Sequence, residues 1–204
     1  MTPAHGLAAL AAMLLAVGCA PMARQAESTP RGDYQAILER WTRAGQEYDR
    51  LETRLYVAAT YKSWPFREAY VAEYARIFLL PDREREALLA RETASFEQFH
   101  EFVLSAYTPY RQSGDFLTRT GLWKLYLEGP NGLRVPTSRV DRMAEPPQVL
   151  AAFYPYVTRW SREFLVRFPR RTADGREVLP DPERDPFRLI ITSTVARAEL
   201  TWHP

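Results

Sequence analysis

Between Leu51 and Lys62 the chain alternates: Leu51, Thr53, Leu55, Val57, Ala59 and Tyr61 interleave with Glu52, Arg54, Tyr56, Ala58, Thr60 and Lys62. Successive side chains of a strand leave opposite faces, so this pattern predicts a half-buried β-strand. Its backbone donors and acceptors need further strands to pair with. Leu122 to Leu127 and Leu133 to Val140 supply two, because they flank Gly129-Pro130-Asn131-Gly132, a strong turn signal, and so read as a β-hairpin. Phe99 to Tyr107 stops at Thr108-Pro109 and reads as another strand. Trp160 to Phe168 alternates over most of its length, and Phe187 to Trp202 alternates with a phase switch near Val195 that suggests a bulge or bend.

Helical periods interrupt this set of six strands. Tyr34, Ile37, Leu38, Trp41 and Tyr48 recur at helical spacing and predict an amphipathic helix over residues 33–50, with Asp33 as cap and Gly45 as its weak point. Trp64-Pro65 ends the first strand. Phe66, Tyr70, Tyr74, Ile77 and Phe78 then give one apolar helix face, and Pro81-Asp82 separates it from a second helix containing Leu88 and Leu89, so an αα insertion is expected at about 66–94. Val149 to Phe153 reads as a short helical turn, and Pro169 to Pro186 as a long exposed loop. With no βαβ alternation, the expected fold is mainly β with helical decorations. It resembles an antiparallel immunoglobulin-like β-sandwich carrying an N-terminal helix and the αα insertion, in a domain spanning residues 51–204.

Ahead of the domain, Leu7 to Val17 is apolar and is followed by Gly18 and the only cysteine, Cys19. That run of about 11 residues falls short of the roughly 20 that span a bilayer as a helix. Ala16-Val17-Gly18-Cys19 resembles the cleavage and modification site of bacterial lipoproteins. The resemblance implies a signal peptide over residues 1–18, diacylglyceryl transfer to the Cys19 thiol and acylation of the new amino terminus. Leu is the commonest residue three places before the cysteine in that family, and Ala16 stands there; the segment before the apolar run also has no Lys or Arg. Ala20 and Pro21, where an Asp would be the inner-membrane retention signal, imply sorting to the outer membrane. Residues 19–32, polar and carrying Pro21, Pro30 and Gly32, read as a tether. Without Cys19 no cysteine remains for a disulfide, so burial alone has to hold the fold.

The rest of the chain spells out no reaction. Net charge is +2, with acidic and basic residues interspersed, which argues against nucleic acid. Glu97 and His100 form a single Glu-x-x-His pair, whereas a di-iron bundle needs two. No zinc pattern is present, so neither metal nor cofactor is expected. Asp181, Glu183 and Asp185 start like a calcium loop, but Pro186 stands where Gly is required and Thr192 where the closing Glu belongs. There is no Gly-x-Ser-x-Gly elbow, Walker loop or dinucleotide fingerprint, so no catalytic residue is assigned and the chain is read as non-catalytic.

Two groups are left as an interaction surface. Trp64, Phe66, Tyr70, Tyr107, Tyr110, Tyr154 and Tyr156, with Phe153, lie near strand ends beside prolines and would bind a partner if they meet at one end of the sandwich. Arg170 and Arg171, with Arg167 and Arg176, cluster where a strand meets a loop and suit an anionic headgroup or phosphate. The function expected is that of a lipid-anchored, outer-membrane, periplasm-facing interaction or assembly protein with an envelope protein as partner. The alternative is a binder of a small molecule or lipid in an aromatic-lined cleft between insertion and sheet.

Overall fold

A computed structural model of the chain describes residues 31–109 and 122–204. Cys19, residues 20–30 of the expected tether and Tyr110 lie outside them, and the last two residues of that tether, Arg31 and Gly32, are helical. Among the described residues the elements run α1 (Arg31–Trp41), β1 (Thr42–Asp49), β2 (Glu52–Tyr61), α2 (Trp64–Phe78), α3 (Asp82–Gln98), β3 (Phe99–Tyr107), β4 (Lys124–Glu128), β5 (Arg134–Pro136), β6 (Arg139–Arg142), α4 (Pro147–Phe153), β7 (Arg162–Pro169), β8 (Phe187–Thr192) and β9 (Arg197–Trp202). The strands form two antiparallel sheets, ordered β1-β2-β3-β7-β6 and β5-β4-β8-β9. The fold is a β-sandwich with helical decorations.

The core lies between the sheets. Leu55, Val57, Ala59 and Tyr61 of β2 face inward with Phe102, Leu104 and Ala106 of β3 and Phe164, Val166 and Phe168 of β7, against Leu189 and Ile191 of β8 and Ala198, Leu200 and Trp202 of β9. Large aromatic groups bridge the layers: Phe102 meets Trp202 at 5.3 Å between ring centroids, and Tyr61 meets Phe187 at 5.0 Å. With each such side chain worth about 1.5–3 kcal/mol on full burial, this layer supplies the cohesion of the fold.

Three strands depart from the sequence reading. The helix expected over residues 33–50 stops at Trp41, and Thr42–Asp49 is an edge strand paired with β2, Gly45 standing opposite Val57. A Cβ on Gly45 would lie 2.9 Å from Leu200 Cδ2, so the glycine that weakens a helix here lets two sheet edges approach. The second arm of the expected hairpin, Leu133 to Val140, divides into β5 and β6, which join different sheets. The phase switch near Val195 is a hairpin turn: the Ser193 N–H donates to Ala196 O at 2.9 Å, and Ser193 Oγ accepts from Val195 N and Ala196 N. The immunoglobulin likeness stops at the two sheets. Immunoglobulin strands divide as A-B-E-D and C-F-G, whereas β1, β2 and β3 are successive neighbours within one sheet.

The αα insertion is present as α2 and α3. Ser63 caps α2, accepting from Phe66 N at 3.3 Å, with Pro65 in the first turn. The sheet does not cover the apolar face of α2. Phe66, Tyr70 and Tyr74 pack on Tyr34 of α1 and on Phe153 and Tyr154 at the end of α4. α3 has no buried residue, and Ile77, Phe78 and Leu79 at the hairpin tip are 37%, 44% and 86% exposed.

The β4–β5 turn is fixed from outside. A Cβ on Gly129 would stand 2.1 Å from the Val178 carbonyl oxygen in the loop crossing it. Gly129→Ala is therefore expected to destabilise the protein by about 3 kcal/mol, the upper range for an overpacking substitution, whereas Gly132→Asn, where nothing lies within 4 Å and φ is +71°, should cost under about 1 kcal/mol. Urea unfolding of the two variants checks the contrast.

Candidate functional site

The outer face of the five-stranded sheet is polar where α2 and α3 lean over it. Alternation places Lys62, just beyond β2, Glu101 on β3 and Arg167 on β7 on that face, and Asp141 on β6 is bonded to them. A single helical turn brings in Arg67 of α2, and Glu92 reaches down from α3. Arg67 has no exposed surface. Its Nη2 donates to Glu101 Oε2 at 2.8 Å, its Nε to the Lys62 carbonyl at 3.0 Å, and its Nη1 to Glu92. Lys62 Nζ lies 2.9 Å from Glu92 Oε2 and 3.8 Å from Glu101 Oε2. Arg167 Nε donates to Glu101 Oε1 at 2.7 Å, and its Nη1 pairs with Asp141. Lys62, Arg67 and Arg167 thus balance Glu92, Glu101 and Asp141 in one connected array.

Above this array opens a cleft of about 560 Å³. Lys62, Glu101, Arg167 and Leu165 form its floor; Tyr70 and Tyr74 of α2 form one wall, and Ala87 and Arg91 of α3 the other. Lys62 Nζ sits 6.0 Å from the Tyr70 ring centroid, within cation–π range. Burial pushes the Tyr70 phenol up, and the nearby Glu92 and Tyr74 push it further, so it remains a neutral hydrogen-bonding group. Burial alone would raise the Glu101 carboxyl, but Lys62 and Arg67 beside it, with hydrogen bonds from Arg67 and Ser95, bring it down to about 2. A carboxylate so strongly held in its charged form is a poor proton donor or acceptor near neutrality, and a phenol whose ionisation is suppressed is no base. The cleft thus sets phenol rings against fixed, paired charges.

The surface residues expected from sequence divide three ways. Tyr70 lines the cleft. Trp64 packs on Phe96 at 5.5 Å, while Phe66, Phe153 and Tyr154 are buried in the seam joining α1, α2 and α4, and the Tyr156 hydroxyl is bonded to Thr60 at 2.8 Å. Tyr107 ends β3, at the far end of that strand from Phe99. Of the described aromatic residues, Phe66, Phe153 and Tyr154 thus form an internal packing seam and Tyr70 stands at a cleft, because helical spacing turned their faces toward each other. Arg167 belongs to the ion array, whereas Arg170 and Arg171 lie at another cavity, with Glu97 and His100. Glu97 and His100 do not share a helix face, since α3 ends at Gln98 and His100 is on β3. Among the described residues no group of three His, Cys, Asp or Glu side chains is placed to hold a metal ion. The charged floor was missed. Lys62 falls on the polar side of the first strand's alternation, Arg167 was grouped with the basic cluster and Glu101 drew no reading, and the only signal was that the three occupy the same face near a helical insertion.

No family model matches the chain, and no curated protein or solved structure does either.

Removing Arg67 strands a buried carboxylate, so Arg67→Ala is expected to cost about 3–5 kcal/mol. The pH dependence has a definite sign. Glu101, ordinarily at 4.5, titrates at about 2 in the fold, so its contribution is present above pH 4.5 and is lost as pH falls toward 2. His100 is pushed from 6.5 to about 3 by burial, then by Arg170 and Arg67, so the unfolded chain binds its proton first and stability falls from pH 6.5 downward. Urea unfolding at pH 7, 5 and 3 should show a progressive loss in the wild type.

Proposed function

We propose that the protein is a non-catalytic, lipid-anchored binding protein of the bacterial envelope, which holds a small molecule or lipid fragment in the cleft between the α2–α3 hairpin and the sheet. The cleft carries this reading: about 560 Å³ of space, enough for a small ligand, with phenol rings on one side and a fixed array of charges on the other. The ligand it suits has ionic or strongly polar groups for Lys62, Arg91 and Arg167 and an unsaturated or apolar part for Tyr70 and Tyr74. The direction in which Glu101 and Tyr70 are shifted supports binding over turnover. The anchor rests on Ala16-Val17-Gly18-Cys19, and outer-membrane placement on Ala20 and Pro21. Among the described residues no helix is long and apolar enough to cross a membrane.

A second reading, docking of an envelope protein, is favoured by the apolar hairpin tip at Ile77, Phe78 and Leu79.

Two measurements test these readings. Ala87 is exposed on α3 and faces the cleft without joining the ion array. Ala87→Trp should leave the melting temperature within about 2 °C, as for a surface change under about 0.5 kcal/mol, and should remove the small molecule that co-purifies with the detergent-solubilised full chain in native mass spectrometry. If nothing small accompanies the wild type and a stoichiometric protein does, the docking reading replaces the first. Cys19→Ser removes the thiol that attacks the lipid donor, so the variant is expected to stay an unprocessed precursor. If it is processed and still enters the detergent phase like the wild type, there is no lipid on Cys19.

A further inference from the structure

A second cavity lies at the end of the sandwich where β3 begins and β7 ends, away from the cleft above. It measures about 410 Å³ and is lined by His100, Arg170 and Arg171, with Pro169, Leu179 and the carboxylates of Glu97 and Glu177. His100 is 1% exposed, and its Nε2 has no hydrogen-bond partner among the described residues. Arg170 Nη2 is also buried and unpartnered, although Nε of the same guanidinium is bonded to the Phe96 carbonyl and the group lies 4.1 Å from the Phe96 ring centroid. Two buried polar atoms left over at one cavity need a common explanation, because each costs about 1–3 kcal/mol if nothing completes it.

The tautomer of His100 decides what is missing. Nδ1 and the Tyr61 hydroxyl are 3.0 Å apart. The phenol hydrogen has no other acceptor among the described residues, so Tyr61 donates to Nδ1 and the proton of the neutral ring sits on Nε2. Nε2–H and Nη2–H are then both donors, and the acceptor they lack must come from outside. Arg171 is already neutralised by Glu177 at 2.9 Å. Arg170 has no salt bridge among the described residues and feels Glu177 only at longer range. The charge beside the unmatched donors is Arg170's own, while the Glu97 carboxylate stands exposed at the rim of the same cavity.

We propose that this cavity is an oxyanion site, in which a phosphate group is held by His100 Nε2–H and the Arg170 guanidinium, with Arg171 at the rim. It is independent of the cleft assigned above, so either can fail alone. The phosphate could belong to a soluble phosphomonoester or to a phospholipid headgroup. Both present the same oxygens, and charge-assisted donors of this kind, Arg above all, favour them.

The test uses the detergent-solubilised full chain. Inorganic phosphate is titrated while the His100 ring is followed by ¹H–¹⁵N NMR, and glycerol 3-phosphate is compared with dihexanoyl phosphatidylglycerol as a competitor. Saturable movement of the His100 resonance with phosphate is expected, about tenfold weaker in Arg170→Gln, the loss of one charge-assisted hydrogen bond, and changed by less than about threefold in Arg171→Gln, whose charge is already paired. Arg170 is partly exposed, so its variant is expected to fold, and a melting curve identical in shape confirms it. Tighter competition by dihexanoyl phosphatidylglycerol than by glycerol 3-phosphate, lost in Arg170→Gln, assigns the site to a headgroup; tighter competition by glycerol 3-phosphate assigns it to a soluble phosphoester. The proposal is overturned if the wild type responds to none of these probes, or if Arg170→Gln binds as tightly as the wild type.

Discussion

The contact between Arg67 and Glu101 joins two parts of the molecule that have little else in common. The sandwich is held by aromatic and aliphatic burial between its sheets. Of the helical hairpin, α2 is held by aromatic packing on α1 and α4, whereas α3 is held at its base by charge: it buries nothing of its own, yet Glu92 is tied through Arg67 and Lys62 to the carboxylate on β3. Taking a guanidinium wholly out of water is expensive, and the cost is met only because each of its nitrogens has an acceptor. Such an array gives direction more than strength. Hydrophobic packing would let α3 slide, whereas paired donors and acceptors allow one position, and that position sets the width of the cleft.

The apolar side of the chain was legible. Alternation located β2 and β7, the stop at Thr108-Pro109 bounded β3, the Gly129–Gly132 signal located the β4–β5 turn, and the change of period at Trp64 located the hairpin. What sequence missed came from contacts between distant segments. Thr42–Asp49 carries a helical pattern and became a strand because the free edge of β2 was available to it. Leu133 to Val140 reads as one run, but three residues pair with β4 and the next strand pairs with β7, a division no local pattern records.

The candidate site was less legible still. Aromatic residues beside prolines suggested a surface, yet most of them mate with one another, since α1, α2 and α4 each offered an apolar face and no other cover. Lys62 falls on the polar side of its strand's alternation. Lys62, Glu101 and Arg167 are on that side, but the insertion roofs it, and the same alternation then describes a buried polar floor. Arg170 stood out as a basic residue in sequence. Among the described residues it has no salt bridge, and a buried imidazole lines the same cavity, both properties of the assembled end of the sandwich.

The hairpin has a further consequence for how such a chain can change. It sits where a short turn would ordinarily join neighbouring antiparallel strands: Tyr61 is already opposite Phe102, and the Lys62 N–H is bonded to the Glu101 carbonyl at 2.9 Å. Backbone geometry alone would allow the insertion to be trimmed back to a tight loop. Glu101 forbids it, because without Arg67 that carboxylate would face water-poor surroundings with Arg167 and Lys62 alone to balance it. A connection between two inner strands is in this way locked to the sheet: shortening the loop requires a second, simultaneous change on β3.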